Sequence, residues 1–375
     1  MITKHWFTHL LFIMLTIVPF IVLAVFPIEA VAAYRFNDFH GRSPIHTHGQ
    51  ISPTPQGLTP DQIKSAYNLP KSGGHGTIAI VDVGTDDTIE SDLAAFDKQF
   101  GLAACTSANG CFEKHVMASD EKDQGWSLET ALDVEWAHAI APQAKILLVE
   151  AKTESGANLM SAVDYARNRS DVVAISMSWG GDEFSDEATL DSHFTSKYGA
   201  SFFASSGDEG AGAEWPASSP NVIGVGGTHL NITKAGTVSS ETAWTGSGGG
   251  ISKYESMPNF QSGYTIAKAK GKRSIPDVSY NADPDSGYSV YKGGYHPGWY
   301  VIGGTSAGAP QWAAIQSLGL SVTNAKLYKD KALANNASYF RDIKTGTNGS
   351  CGYYCTTRAN WDYVTGLGSP VTYKF

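Results

Sequence analysis

Short continuous apolar runs alternate along this chain with stretches of helical periodicity, and the alternation predicts strands and helices in turn. Thr77 to Val83 is a β-branched run behind a glycine-rich lead, and Thr88 to Phe100 has the spacing of an amphipathic helix. Lys145 to Glu150 and Val172 to Met177 are again continuous runs, with a helical stretch near Asn158 to Asn168 between them. Phe202 to Ser205 and Val222 to Val225 read as further strands. Strands that lack polar alternation are buried on both faces, the condition of a parallel sheet covered by helices on each side. The pattern predicts one large α/β domain over residues 58–375, with a mostly parallel central sheet and helices on both faces. Ligand sites in such sheets lie at the carboxyl ends of strands. Ser178-Trp179-Gly180-Gly181 and Ser205-Ser206-Gly207-Asp208 both stand there.

The first 33 residues follow another pattern. Lys4 and His5 precede an apolar run from Leu10 to Pro27, and Ala30-Val31-Ala32 offers a small-residue cleavage site, which reads as a signal peptide. The run is longer than usual and Pro19 interrupts it, so an uncleaved N-terminal anchor is the alternative. Membrane association is expected only in that case. Either way the remainder is expected to be secreted or at the cell surface. Two close pairs, Cys105/Cys111 and Cys351/Cys355, suit small disulfide loops in an oxidising compartment. Residues 34–57, polar and rich in Pro, His and Gly, read as a flexible lead-in. A formal net charge of −9 with no basic stripe argues against nucleic acid as a partner. A monomer is expected.

Chemistry concentrates first at Gly303-Gly304-Thr305-Ser306-Ala307-Gly308-Ala309-Pro310, followed by the helix-like run from Gln311 to Leu320. Glycines let the backbone turn and a substrate approach, and a helix N-terminus favours developing negative charge. A glycine-rich turn capping a helix is the bland alternative. The whole string resembles the serine-nucleophile motif of the subtilisin-like clan, which raises the question of the base. His75 and Asp82 sit in stretches similar to subtilisin histidine and aspartate motifs, but in the wrong order. They also bracket one strand, and seven residues at about 3.3 Å each put roughly 23 Å between them. A Ser-His-Asp triad is therefore not expected.

The better partner lies in Ser127-Leu128-Glu129-Thr130-Ala131-Leu132-Asp133-Val134-Glu135-Trp136, a helical pattern with Ser127 as the expected N-cap. Glu129 and Asp133, four apart, project from one face. In a cleft two such carboxyls can share a proton, which raises one pKa and makes a base suited to acid. The bland alternative is a solvated acidic face.

Together, Glu129-x3-Asp133, Ser206-Gly207-Asp208 and Gly304-Thr305-Ser306-Ala307-x-x-Pro310 resemble the sedolisin family of serine-carboxyl peptidases. Thr59-Pro60 through Ala66-Tyr67, Ser176 to Gly180, Trp215 to Pro220, Val225 to Thr228, Pro276 to Val278 and Thr365 to Pro370 extend the likeness over residues 58–375. The resemblance implies a subtilisin-like fold and peptide-bond hydrolysis in acid through an acyl-enzyme, on protein or peptide substrates. It implies Ser306 as nucleophile, Glu129 as general base, Asp133 as the residue that orients and tunes Glu129, and Asp208 in the oxyanion hole. Ser178, Trp179 and Gly180 would line the substrate groove. Asp82 falls where some relatives carry a glutamate that extends the carboxyl network.

The same likeness implies one structural Ca2+, held by Asp342, Asp362 and the carbonyls of Ile343, Arg358 and Asn360. The family usually has glycine at the last two of these carbonyl positions, so the backbone must make the bend without it. Family members usually carry a long N-terminal pro-domain, whereas here only the lead-in separates the cleavage site from the mature-like start. Activation by autocleavage is therefore not assured by the likeness. Two other functions compete: a catalytically inactive peptide-binding relative of the same fold, and a metal-dependent hydrolase built on Glu135 and His138.

Overall fold

The structure, a computed structural model, describes residues 34–117, 123–319 and 322–375. The proposed signal segment lies outside the described residues. Among those described, no helix is long and apolar enough to cross a membrane.

The predicted apolar runs are the strands of the central sheet. After a lead-in strand, β1 (His46–Ser52), and a short helix, α1 (Pro60–Ala66), the chain enters β2 (Thr77–Val83) and α2 (Ile89–Phe100). It then runs through β3 (Phe112–Val116), α3 (Gln124–Ile140), β4 (Lys145–Ala151), α4 (Gly156–Arg167) and β5 (Val172–Met177). Next come β6 (Ser201–Ser205), β7 (Val222–Ile232), β8 (Val238–Ala243) and β9 (Val278–Asn281). A hairpin of β10 (Tyr288–Lys292) and β11 (Gly298–Gly303) leads into α5 (Gly308–Leu318).

The sheet order is β8-β7-β6-β5-β2-β4-β3, with β9 also on β7. Every pairing is parallel except β8 on β7. Because side chains alternate across a strand, β2 feeds two cores. Ile78 and Ile80 pack with Leu93, Phe96, Leu132, Trp136 and Trp312 of α2, α3 and α5. Ala79, Val81 and Val83 pack on the other side with Leu159, Met160 and Val163 of α4. Both faces are covered, as the continuous apolar runs predict.

Three local expectations are corrected. Strand β7 runs on past Val225 through Gly226 and Gly227, because β9 pairs to it there and β8 takes over from Thr228; a Cβ at Gly226 would stand 2.6 Å from Pro276. The cap of α3 is not Ser127 but Asp123, whose carboxylate accepts the N–H groups of Gly125 (2.6 Å) and Trp126 (3.1 Å). Ser127, a turn inside, donates instead to Asp86 at 3.0 Å.

The lead-in is the third. It is tied down at both ends rather than free. Phe39 is fully buried, 4.8 Å from the Trp215 ring and 5.5 Å from Phe184. β1 pairs antiparallel with β11, placing His46 opposite Gly303 and Thr47 opposite Ile302. Polar composition conceals a segment that is held by backbone pairing and one anchor ring.

Candidate active site

Four loops and helix ends meet where the carboxyl ends of β2, β5 and β6 approach the start of α5. Ser306 lies in a 3-10 turn, Thr305–Ala307, between β11 and α5, and is fully buried. The turn needs glycine at its entry. Gly304 has φ 130°, and a Cβ there would come within 2.0 Å of the Pro44 carbonyl oxygen and 2.8 Å of Asp208 Oδ2. The Ser306 carbonyl accepts from Ser178 Oγ at 3.2 Å, which fixes the turn against the end of β5.

Glu129 and Asp133 stand one turn apart on α3, both with no exposed surface. Asp82, the penultimate residue of β2, is buried beside them. Burial pushes the Glu129 carboxyl well above its ordinary range; the Asp82 charge pushes it further, and hydroxyls of Ser43 and Ser306 pull it part of the way back. Asp133 is raised for the same reasons: burial first, then the charges of Asp82 and Glu129. Asp82 is pushed up to about 7, chiefly by burial. Three carboxyls without a cation among them do not all ionise together, and their titrations are coupled.

Asp208 follows β6 through Gly207, at φ 105°. Its Oδ1 accepts the Thr305 N–H (2.8 Å) and the Thr305 hydroxyl (2.7 Å), so the residue before the serine orients it. Its Oδ2 faces His46 Nε2 at 3.1 Å. Burial raises its pKa, against the hydrogen bonds from His46 and Thr305.

The structure thus gathers Ser306, Glu129, Asp133 and Asp208 into one site, and places Asp82 with them. Of the expected groove residues, Gly180 lies under the lead-in, pairing by both backbone groups with Arg42 (2.9 and 3.2 Å). The Trp179 indole is fully buried, donates to the Val81 carbonyl at 3.0 Å and packs 6.1 Å from Trp215, while its Cβ and ring edge lie against Gly41 of the lead-in. Ser178 is turned to Ser306 and not to the groove. Glu135 and His138 are buried on the far side of α3. Glu135 accepts the Tyr291 N–H at 3.0 Å, and His138 Nε2 meets the Ala103 carbonyl at 3.0 Å. Cys105 and Cys111 approach His138, but their sulfurs are joined in one of the two disulfides, the other being Cys351–Cys355.

Several residues in the site escaped the sequence pattern. Ser43 donates to Glu129 Oε2, the Pro44 carbonyl accepts from Ser306 Oγ at 3.0 Å, and His46 lies on Asp208. Glu214, against Gly180 and Gly207, faces Arg42 at 3.6 Å, and burial pushes it up to about 7. Nothing periodic marks the lead-in, and its polar composition reads only as a spacer.

Near the C-terminus Asp342 accepts the Asn360 N–H (3.0 and 3.1 Å), while Asp362 accepts those of Arg358, Val364 and Thr365 at 2.8–2.9 Å. Asn360 takes φ 74°, the bend expected of glycine at that place. Both aspartates thus hold the loop of residues 358–365 by its backbone N–H groups, and Lys344 Nζ faces Asp342 at 3.5 Å.

Known proteins bear on this geometry. The subtilase family's sequence pattern matches residues 114–345. The chain is 30% identical to sedolisin of Pseudomonas sp. (strain 101), over 84% of its own length and 60% of the relative's. It is 32% identical to kumamolisin of Bacillus sp. (strain MN-32), over 85% and 63%. The chain thus spans about three fifths of the length of these relatives. In structure it superposes on Pseudomonas sedolisin, a serine-carboxyl proteinase complexed with pseudo-iodotyrostatin, with a TM-score of 0.71 at 29% identity, covering 85% of this chain and 96% of that one. Sphericase, at 20% identity and a TM-score of 0.53, shares the fold alone. Matched in sequence pattern and in architecture, the chain belongs to the subtilase family, and within it is similar to sedolisin and kumamolisin.

Proposed function

We propose that this chain is an exported serine-carboxyl peptidase that hydrolyses peptide bonds in acid through an acyl-enzyme. The observation that carries the reading is the pairing of a buried serine with a buried carboxyl cluster on one side and a separately held carboxyl, Asp208, on the other. Glu129, oriented by Asp133, takes the hydroxyl proton as Ser306 Oγ attacks the peptide carbonyl carbon. Protonated Asp208 and the Ser306 N–H donate to the oxyanion of the tetrahedral intermediate. Its collapse breaks the C–N bond, and Glu129 returns the proton to the departing amine. Water then attacks the ester by the same route and frees the acid. An inactive binding relative is not favoured: a scaffold gains nothing from three buried carboxyls that lack a cation.

Asp208 sets the pH test. It can donate only while protonated, whereas the Glu129 cluster must have lost at least one proton. Activity should trace a bell in acid: burial holds the cluster and Asp208 both above the ordinary carboxyl range, so the active form, with the cluster ionised and Asp208 protonated, exists only across the pH range where the two titrations overlap. Asp208→Asn retains a donor that does not ionise, so its residual activity should persist to higher pH. A wild-type optimum near pH 8, or an unchanged upper limb in the variant, would remove the oxyanion role. His46 draws Asp208 toward the ionised form while the lead-in is in place, so substrate must first displace that segment.

The C-terminal loop cluster suits one structural Ca2+, with Asp342, Asp362 and the carbonyls of Ile343, Arg358 and Asn360 as the ligands. The ion would hold these loops together and take no part in bond cleavage. Calcium at a hundred times its Kd would stabilise the fold by about 2.7 kcal/mol. Chelation should lower the melting temperature before it lowers activity. A melting curve identical with chelator and with millimolar Ca2+ would show that the loops close without metal.

A further inference from the structure

The lead-in draws a path through the cleft, and the path runs on past both ends of the site. Arg42 pairs with Gly180 in antiparallel fashion, and two residues later the Pro44 carbonyl oxygen stands 3.0 Å from Ser306 Oγ. Beyond it, residues 46–52 lie along β11, the strand that leads into the nucleophile turn, with His46, Thr47 and His48 opposite Gly303, Ile302 and Val301. Before Arg42 the chain continues without obstruction. The Gly41 N–H donates to the Glu154 carbonyl at 2.8 Å, and Phe39 sinks between Phe184 and Trp215. Three residues ahead of the bond after Pro44, the Arg42 N–H donates to the Gly180 carbonyl at 2.9 Å and the chain runs on through Gly41. Glu214 faces the Arg42 side chain at 3.6 Å, while the Arg42 N–H goes to the Gly180 carbonyl.

We propose that the cleft takes an internal, extended stretch of polypeptide, and that residues following the cut bond are bound by strand addition to the outer edge of β11. The inference rests on the reading of Ser306 as the acylated residue. Strand addition draws its affinity from main-chain hydrogen bonds, and so accepts many sequences in an unfolded chain. The lead-in strand is suited to be exchanged for such a guest. Its residues His46–Ile51 are all exposed, so backbone pairing holds it with little apolar burial. The path ends beside a cavity of about 610 Å³ lined by Ile51, Asp86, Asp123, Leu128 and Tyr300, with room for a side chain seven residues past the bond. The product is a pair of internal fragments. An enzyme that trims tripeptides from free N-termini would instead need an anion facing the amino group at the position of Arg42.

The test uses the full chain and its Ser306→Ala variant at acid pH. Mass spectrometry should find internal cuts in a reduced, unfolded protein. In a peptide series with a constant amino side, kcat/KM should rise at least tenfold as the residues after the bond increase from one to five. N-methylation of the backbone amides in that added stretch should abolish the gain. Release of N-terminal tripeptides, or kcat/KM independent of length, would overturn strand addition and leave the peptidase reading standing. Absence of any Ser306-dependent hydrolysis would overturn that reading, and this inference with it.

Discussion

Ser306→Ala and Glu129→Gln should each lower kcat/KM by roughly 10⁴-fold or more, and the double variant should be no slower than either single one. The groups act as a unit: without the hydroxyl the base has no proton to take, and without the base the hydroxyl is a poor nucleophile. Folding should respond differently from activity. Glu129 is fully buried among Asp82 and Asp133, and its protonated form is the one the fold prefers. Glutamine keeps the shape and removes the tendency to ionise. The Glu129→Gln variant should therefore melt at or above the wild-type temperature at neutral pH while hydrolysing nothing. Kinetics on a peptide substrate beside melting curves at pH 4 and pH 7 would check both halves. A variant that keeps full activity, or that melts well below wild type at neutral pH, would contradict the assignment.

Stability itself should fall as pH rises from about 4 to 8. The cause is a population of buried carboxyls held above their ordinary range by burial. Asp82, Asp97, Glu150, Glu214 and Glu255 are each pushed up to about 7, and Glu187 to about 9. The unfolded chain loses these protons near pH 4, whereas the folded one keeps them. Their stabilisation is fully present below pH 4 and is lost as pH climbs through the folded-state values. A carboxyl moved from about 4 to about 7 contributes about 4 kcal/mol across that window, before coupling between neighbours reduces the sum. His138, held low by burial, works in the opposite sense below its ordinary range, but as one group against many. Lys64, lowered to about 8, matters only above that pH. The melting temperature should drop by at least about 10 °C between pH 4 and pH 8. A flat or rising curve would mean that these carboxyls find partners or water in solution.

Much of the core was legible before any coordinates. β5 has the predicted bounds, Val172–Met177, and β2 spans Thr77–Val83, because apolar runs buried on both faces leave a strong one-dimensional trace. β7 was read short because Gly226 and Gly227 look like a strand's end. Their pairing with Ser279 and Tyr280 of β9, some fifty positions on, is what keeps the strand going. Ser127 was read as the α3 cap because serine is a good cap residue. Asp123 takes that place because its carboxylate reaches two free N–H groups at once.

The site divides in the same way. Spacing alone put Glu129 and Asp133 on one helix face, and the small residues around Ser306 marked a turn into a helix. Those are properties of a few neighbouring residues, so the sequence by itself determined them. Whether Asp82 joins the carboxyl cluster depends on β2 ending beside α3, and the orientation of Asp208 depends on Thr305, ninety-seven positions away. The lead-in is the furthest case. Its polar, aperiodic residues describe a spacer, yet Ser43, Pro44 and His46 meet Glu129, Ser306 and Asp208 in turn. Main-chain pairing to Gly180 and to β11 holds it there, and such pairing uses groups that every residue carries. Composition therefore contains no record of it, and only the tertiary structure decided that this stretch lies in the cleft.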